Sequence, residues 1–196
     1  MKTKSQWIII LSLLVFFIGS CVPSLHPLYT PEDLIFEQKL LGAWMDDDSV
    51  VWEFEKYTPS TTFFSKSKDT THYKLTVHDQ KPAKFDLHLF KLGKYLYFDF
   101  LISEYKIENE MADAHLFPVH TFARAKIEKD SVTIEHFNID FIENLIKEKK
   151  IRIKHEIADD RVILTAGTEE LQKFVLKYAD HDELYAENPR ILKPKS

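Results

Sequence analysis

The sequence predicts a mainly β fold: eight or nine antiparallel strands in a barrel-like domain, with a short N-terminal helix and two late helices. Apolar and polar residues alternate with a period of two through the middle of the chain, and short turns join these segments. The 196 residues include 15 Phe, 8 Tyr and 4 Gly, and aromatic side chains fill strand faces well. A sheet of this size that closes into a barrel exposes no edge.

The chain begins with a pattern typical of a signal peptide. Lys2 and Lys4 precede an uncharged, mostly apolar run of twelve residues, 7–18. A membrane-spanning helix needs about 20 apolar residues, so this run is too short to cross a bilayer. The small residues that follow suit the narrow pockets of a signal peptidase. We therefore expect residues 1–20 to be removed by cleavage after Ser20.

The only cysteine, Cys21, lies directly after this predicted cleavage site. The stretch Ile18-Gly19-Ser20-Cys21 resembles the lipobox of bacterial lipoproteins, which is an aliphatic residue, two small residues and a cysteine. The resemblance implies that the thiol of Cys21 receives a diacylglycerol, that the chain is cut between Ser20 and Cys21, and that the new amino group is also acylated. Two or more acyl chains anchor a protein stably to a bilayer. The alternative is an uncleaved anchor with an incidental cysteine.

These features predict an exported protein that is held in a membrane by lipid at Cys21. No acidic run follows Cys21 of the kind that directs some related lipoproteins to the cell surface. We therefore expect attachment to the outer membrane, facing the periplasm. Because the chain has no further cysteine, the domain cannot form internal disulfides and must be stabilised by burial.

Composition and charge restrict the classes of function. Removal of the signal peptide takes away two lysines, which changes the formal net charge from −5 to −7. An acidic chain of this kind is not expected to bind nucleic acid or to dock electrostatically on anionic lipid. The scarcity of glycine argues against phosphate-binding loops, and the remaining length suits one domain.

Residues 21–40 are predicted to connect the lipid to the domain. Pro23, Pro27 and Pro31 favour an extended backbone without hydrogen-bond donors, which predicts a short, stiff tether. Thr30 and the acidic residues after Pro31 then indicate a brief helix that ends near residue 41.

Residues 41–178 are predicted to form the β-rich domain. The best hairpin lies at the turn 91–94, and Asn138 and Thr168 are expected to cap the two late helices. The polar residues 179–196 are predicted to be a loose tail. The predicted strands are 42–44, 49–57, 73–77, 85–90, 95–101, 116–126, 132–137, 151–157 and 161–166.

Gly42 and Trp44, in the first predicted strand, match the Gly-x-Trp motif of the lipocalins and the wider calycin group, and the order of elements is similar to theirs. The resemblance implies that Trp44 closes the floor of the barrel and that a cation near the last strand packs on its ring, for which Arg161 is the candidate. The alternative is that Trp44 simply fills a core after a turn. Residues 21–29 and 168–172 also resemble uncharacterised lipoproteins of Bacteroidetes-like bacteria.

Motifs for catalysis or metal binding are not evident. The sequence has no Gly-x-Ser-x-Gly and no His-Glu-x-x-His motif. His78, His88 and His136 could converge inside a barrel with Asp86 or Asp99 as a carboxylate partner, but scattered strand histidines are more often satisfied or exposed. We therefore predict no enzyme activity, no catalytic residue, no metal site and no cofactor.

Two charged stretches have structural interpretations that are favoured over functional ones. The acidic residues 46–48 and 159–160 lie in predicted turns, where aspartate accepts backbone hydrogen bonds. The basic stretch 147–154 could face phospholipid head groups. The favoured interpretation is a helix C-terminus followed by the solvated face of a strand.

Three hypotheses for function remain. The first is a binding module for a small apolar ligand or an envelope component. The second is a structural or assembly partner of an envelope protein complex, with a filled barrel. The third, an enzyme, has the least support. The predicted inward-facing residues are large, which favours a filled interior. They are Phe85, Leu87, Leu89, Leu96, Phe98 and Phe100.

Overall fold

A computed structural model describes residues 22–58, 71–104, 110–113, 115–159 and 161–195. Eight antiparallel strands form a closed barrel, in the order β1-β10-β7-β6-β5-β4-β3-β2, and β8 pairs with β9 as a separate two-stranded sheet. The predicted fold class is therefore confirmed. The strands are β1 Gly42–Met45, β2 Val51–Lys56, β3 Tyr73–His78, β4 Ala83–Leu92, β5 Tyr95–Glu104, β6 His120–Ile127, β7 Val132–His136, β8 His155–Ala158, β9 Arg161–Leu164 and β10 Arg190–Pro194.

Three α-helices accompany the strands in the described residues. The one-turn helix α1 spans Glu110–Asp113, and the two late helices are α2, Ile139–Lys147, and α3, Thr168–Tyr178. The carboxamide oxygen of Asn138 accepts from the backbone N–H groups of the first turn of α2, as predicted. Both helices belong to the long connection between β7 and β10.

The interior of the barrel is filled by large apolar side chains. Successive residues of a strand point to opposite faces, so alternate positions of each barrel strand face inward. Ala123 and Ala125 of β6 are the smallest side chains of this core. The buried interior residues are Leu40, Trp44, Trp52, Phe54, Tyr73, Leu75, Leu87, Leu89, Phe98, Phe100, Ala123, Ala125, Val132, Ile134 and Leu192.

A second core lies on the outside of the barrel wall. Phe90 of β4, Tyr97 of β5 and Phe122 of β6 face outward and pack against the apolar stripe of α3. These strands are therefore buried on both faces, which explains why four consecutive residues of β4, 87–90, are buried. The stripe of α3 that meets this wall consists of Leu171, Phe174, Val175 and Tyr178.

The predicted loose tail, 179–196, is wrong. It contains a 3-10 helix, Asp182–Leu184, and the strand β10, which closes the barrel between β1 and β7. Only Leu192 of this strand is fully buried, and the apolar residue beside it, Ile191, is exposed, so the segment carries too little alternation to indicate a strand.

The predicted helix that begins after Thr30 is also wrong. Residues 31–33 form a turn, and the only helix nearby among the described residues is a 3-10 helix at Gln38–Leu40. Between them the chain runs alongside β4, where the N–H of Ile35 donates to the carbonyl of Leu89 at 2.9 Å. Pairing with this strand replaces the intrahelical hydrogen bonds.

Candidate functional site

The segment that follows Cys21 is part of the folded domain. Val22 is 1% exposed, and Ser24 and Leu28 are fully buried. Ser24 exchanges two backbone hydrogen bonds with His120 at the start of β6, at 2.9 and 2.8 Å. On its other side, the N–H of Leu164 in β9 donates to the carbonyl of Pro23 at 2.9 Å. The segment therefore lies between β6 and β9.

The predicted tether across residues 22–31 is therefore wrong. Proline has no backbone N–H group, so a buried proline leaves no donor that needs an acceptor. An extended, proline-rich backbone can therefore be buried with few unpaired polar groups. The backbone N–H groups of Ser24, Leu25 and Leu28 each donate to an acceptor on a neighbouring strand. Burial of the apolar side chains of Val22 and Leu28 in the outer core further stabilises the packing of this segment.

A buried carboxylate on the barrel wall holds the segment. Asp99 of β5 is 0% exposed, and its Oδ2 accepts from the backbone N–H of Leu28 at 2.9 Å. Its Oδ1 lies 2.6 Å from Nδ1 of His120, whose side chain is also mostly buried. Hydrogen bonds to a charged group are stronger than those between neutral groups, so this contact fixes Leu28 against β5 and β6.

Helix α3 holds the same segment from the other side. The hydroxyl of Thr168 donates to the carbonyl of Pro27 at 2.8 Å, so it does not cap the helix as predicted. The side-chain amide of Gln172 donates to the carbonyl of Leu28 at 2.9 Å and to Oδ2 of Asp33 at 2.8 Å. Burial alone would raise the pKa of Asp33, but hydrogen bonds from Thr30 and Gln172 lower it overall.

Four nearly parallel rings cover the neighbouring part of the wall. Tyr57 stacks on His72 with ring centroids 3.9 Å apart, His72 on His88 at 4.8 Å, and His88 on Tyr29 at 4.4 Å. His88 also lies directly opposite Asp99 in the β4–β5 pair. The stack therefore joins the N-terminal segment to the barrel wall beside the Asp99 contact.

The structure does not bring together His78, His88 and His136, the three histidines considered as an alternative metal site. His78 is exposed and lies 3.0 Å from a carboxylate oxygen of Glu53, whereas His88 is on the outer wall. His136 faces the barrel interior, with its ring 5.6 Å from that of Phe100. Burial, with a smaller contribution from Arg190, lowers its pKa to about 4. Within the described part of the chain, no group of His, Cys, Asp or Glu side chains is arranged to hold a metal ion.

Ser20 and Cys21, the predicted cleavage and lipidation residues, lie outside the described residues.

Gly42 opens β1 with a φ of 117°, a conformation that favours glycine. Trp44 is buried in the barrel core, and its indole N–H donates to the carbonyl of Leu40 at 2.9 Å. Arg161 is exposed on β9, outside the barrel sheet that contains Trp44, so the structure does not bring these two residues together.

A different cation packs on an indole ring near the last strand of the barrel. The guanidinium of Arg190 in β10 lies 5.5 Å from the ring of Trp52 and forms an ion pair with the buried Asp46. Asp46 also accepts from the backbone N–H groups of Asp48 and Val50. The first of the acidic residues 46–48 is therefore a structural group that joins the β1–β2 turn to β10.

A second buried ion pair lies on the outer wall and was missed by the sequence analysis. Arg124 of β6 donates twice to the carboxylate of Glu135 of β7, at 2.6 and 3.0 Å. Its guanidinium lies 3.7 Å from the ring centroid of Tyr185. Burial raises the pKa of Glu135, but Arg124 and Lys126 more than compensate and lower it overall. The only signal for this pair in the sequence is that two neighbouring predicted strands carry charges of opposite sign.

An open groove of about 270 Å³ lies between the segment 150–153 and helix α3. Its buried lining is apolar and consists of Ile153, Phe174 and Tyr178. Its exposed lining is mostly cationic. The cations are Lys150, Arg152, Lys173 and Lys177, with Glu170 as the acidic residue of the lining.

Among the described residues, no helix combines the length and the hydrophobicity needed to cross a membrane. Comparison of the chain with known protein families, with curated proteins and with solved structures yields no match.

Proposed function

We propose that this protein is a lipoprotein of the bacterial cell envelope, anchored in the membrane by lipid at Cys21, and that it acts as a non-catalytic binding module for an envelope component. The signal-peptide pattern and the lipobox-like stretch 18–21 support the anchor. Because residues 22–35 pack closely on the domain, a lipid on Cys21 would hold the domain in a defined orientation at the bilayer.

The filled interior of the barrel is the observation that favours binding through the outer surface. A barrel of eight strands has room for one small ligand only where its inward-facing side chains are small. Here Trp44, Trp52 and Phe98 are among the large buried residues inside it. This arrangement supports contact with an envelope component at the outer surface, as in the alternative structural or assembly role, more than the binding of a small apolar ligand inside the barrel.

Native mass spectrometry of the mature protein, extracted gently from membranes of its host, separates the two possibilities. Surface binding predicts a mass equal to that of the lipidated chain, alone or with a membrane phospholipid on its surface, together with cross-links to an envelope component in intact cells. A reproducible mass excess that disappears on denaturation and differs from the mass of a membrane phospholipid would instead indicate a small ligand and would contradict the surface-binding proposal.

Cross-linking positions can be chosen from the exposed apolar side chains. A photoreactive residue in place of Phe117, which is 74% exposed, samples the β5–β6 connection, and one in place of Ile157 samples the β8–β9 hairpin. A residue in place of Lys129, in the β6–β7 turn, serves as the exposed control. Cross-links from the apolar positions and not from position 129 would support a specific partner surface.

A further inference from the structure

The groove beside α3 combines two features that match an anionic amphiphile. Its floor, with Ile153 and Phe174 buried, offers apolar contact. Its rim carries four exposed cations and a single acidic residue, although the whole chain has a formal net charge of −5. A positive rim on an acidic protein is a local concentration of charge that attracts a phosphate-bearing group.

The rim cations can exchange their present partners for a ligand. Lys150 pairs with Glu148 at 2.7 Å, and Lys173 pairs with Glu169 at 2.7 Å, and all four side chains are largely exposed. Exposed ion pairs of this kind contribute little to stability, because water and salt screen them. A phosphate at the groove therefore competes only with weak surface contacts.

The groove also lies close to the N-terminal segment. The N–H of Leu164 donates to the carbonyl of Pro23, and two residues further on, the N–H of Ala166 donates to the carbonyl of Lys154 at 3.1 Å. Two residues of extended chain span about 7 Å. The backbone that leads into the groove is thus connected through β9 to the residues that directly follow Cys21.

From this geometry we infer that the groove binds the phosphate head group of an anionic phospholipid in the membrane that holds the lipid on Cys21. The phosphate lies among the cations of the rim, and the first carbons of the acyl chains contact the apolar floor. This inference rests on the proposed lipid anchor. It adds a second contact with the bilayer, which would fix the rotation of the domain as well as its position.

The test uses the full lipidated protein in nanodiscs of phosphatidylcholine, with and without phosphatidylglycerol, and measures amide hydrogen exchange. We expect phosphatidylglycerol to slow exchange in segments 150–154 and 170–178 by about tenfold, the factor that corresponds to nine-tenths occupancy. The double variant Arg152→Glu/Lys177→Glu should lose this protection. The matched control Lys39→Glu/Lys129→Glu should keep it, because its exposed lysines lie outside the groove.

Equal protection in both kinds of disc, or none in either, would overturn the inference while leaving the anchor intact. Protection by soluble glycerol phosphate, added to discs of phosphatidylcholine alone, would also overturn it, because the ligand would then not need to be a lipid. A protein that fails to enter the discs would contradict the lipid anchor itself, and the inference would fall with it. Far-UV circular dichroism and thermal unfolding show that each variant is folded.

Discussion

The carboxylate of Asp99, fully buried on the outer wall of the barrel, accepts a hydrogen bond from the backbone N–H of Leu28 at 2.9 Å. This contact connects the middle of strand β5 to a point seven residues after the predicted lipidation site. If Cys21 carries the proposed lipid, a force on that lipid would be transmitted to the barrel through a few short, buried hydrogen bonds of residues 23–28.

The substitution Asp99→Ala should destabilise the domain and release its N-terminal segment. A buried N–H left without an acceptor costs about 1–3 kcal/mol, and the N–H of Leu28 would be in that position. Urea unfolding measures the loss, and hydrogen exchange of residues 22–35 should become faster. The control Asp86→Ala removes a partly exposed pair with Lys74 on the barrel surface and should cost about 0–1 kcal/mol. Equal effects of the two substitutions would contradict the proposed role of Asp99.

Leu192→Ala tests whether the C-terminal residues close the barrel. Leu192 is fully buried, and removing a buried leucine side chain costs about 2–5 kcal/mol. The neighbouring residue, Ile191, points outward and is 39% exposed, so Ile191→Ala should cost less than about 1 kcal/mol. If both variants unfold like the unsubstituted protein in urea, β10 is not part of the barrel.

The lowered pKa of His136 leads us to expect that the free energy of unfolding decreases on mild acidification. Burial lowers its pKa from 6.5 to about 4 in the folded state, so between these values the unfolded chain binds a proton that the folded chain does not. Its contribution is unchanged above pH 6.5, and roughly 3 kcal/mol of stability is lost as the pH falls from 6.5 to 4. The variant His136→Leu should have a flatter profile of unfolding free energy across this window. An identical profile would show that this ring does not titrate as described.

Arg124→Met tests the ion pair on the outer wall. Removal of one partner of a buried ion pair costs about 3–5 kcal/mol, because it leaves the other charge uncompensated. Since Arg124 and Lys126 hold the pKa of Glu135 below its ordinary value of 4.5, this stabilisation is present above pH 4.5 and is lost as the pH falls through the folded pKa. The penalty measured in urea should therefore shrink at low pH.

Lys126→Met is the matched control for that experiment. Lys126 contacts the same carboxylate at 3.1 Å, but its side chain is 53% exposed. Its removal should cost less than about 1 kcal/mol at pH 7. A penalty as large as that of Arg124→Met would mean that the charge, and not its burial, determines the effect.

The barrel strands could be predicted because their two faces differ. In β2, Trp52 and Phe54 alternate with Glu53 and Glu55, so the period of two is clear. The strand β10 could not be predicted in this way, because Leu192 is its single fully buried residue. Alternation of apolar and polar residues indicates a strand only where one face of the strand is buried. β10 is held mainly by backbone pairing with β1 and β7, which leaves no such pattern in the sequence.

The residues around the candidate site depend on contacts between distant parts of the chain. Arg161 was expected to pack on Trp44 because it lies in the last strand that the sequence pattern indicates. The last barrel strand instead follows α3, so Arg190 is the cation that approaches an indole ring, that of Trp52. The docking of residues 22–35 was missed for a similar reason, since proline suits both an exposed tether and a buried extended segment.

The lipid anchor is tested most directly by the mass of the N-terminal peptide, obtained by proteolysis of the protein extracted from membranes of its host. The predicted result is a peptide that begins at Cys21 and carries a diacylglycerol and a further acyl chain. The same protein with Cys21→Ser should yield no such peptide and should leave the membrane fraction. A wild-type peptide that begins at Met1, or an unmodified Cys21, would contradict the proposal that this domain is held at the membrane by lipid.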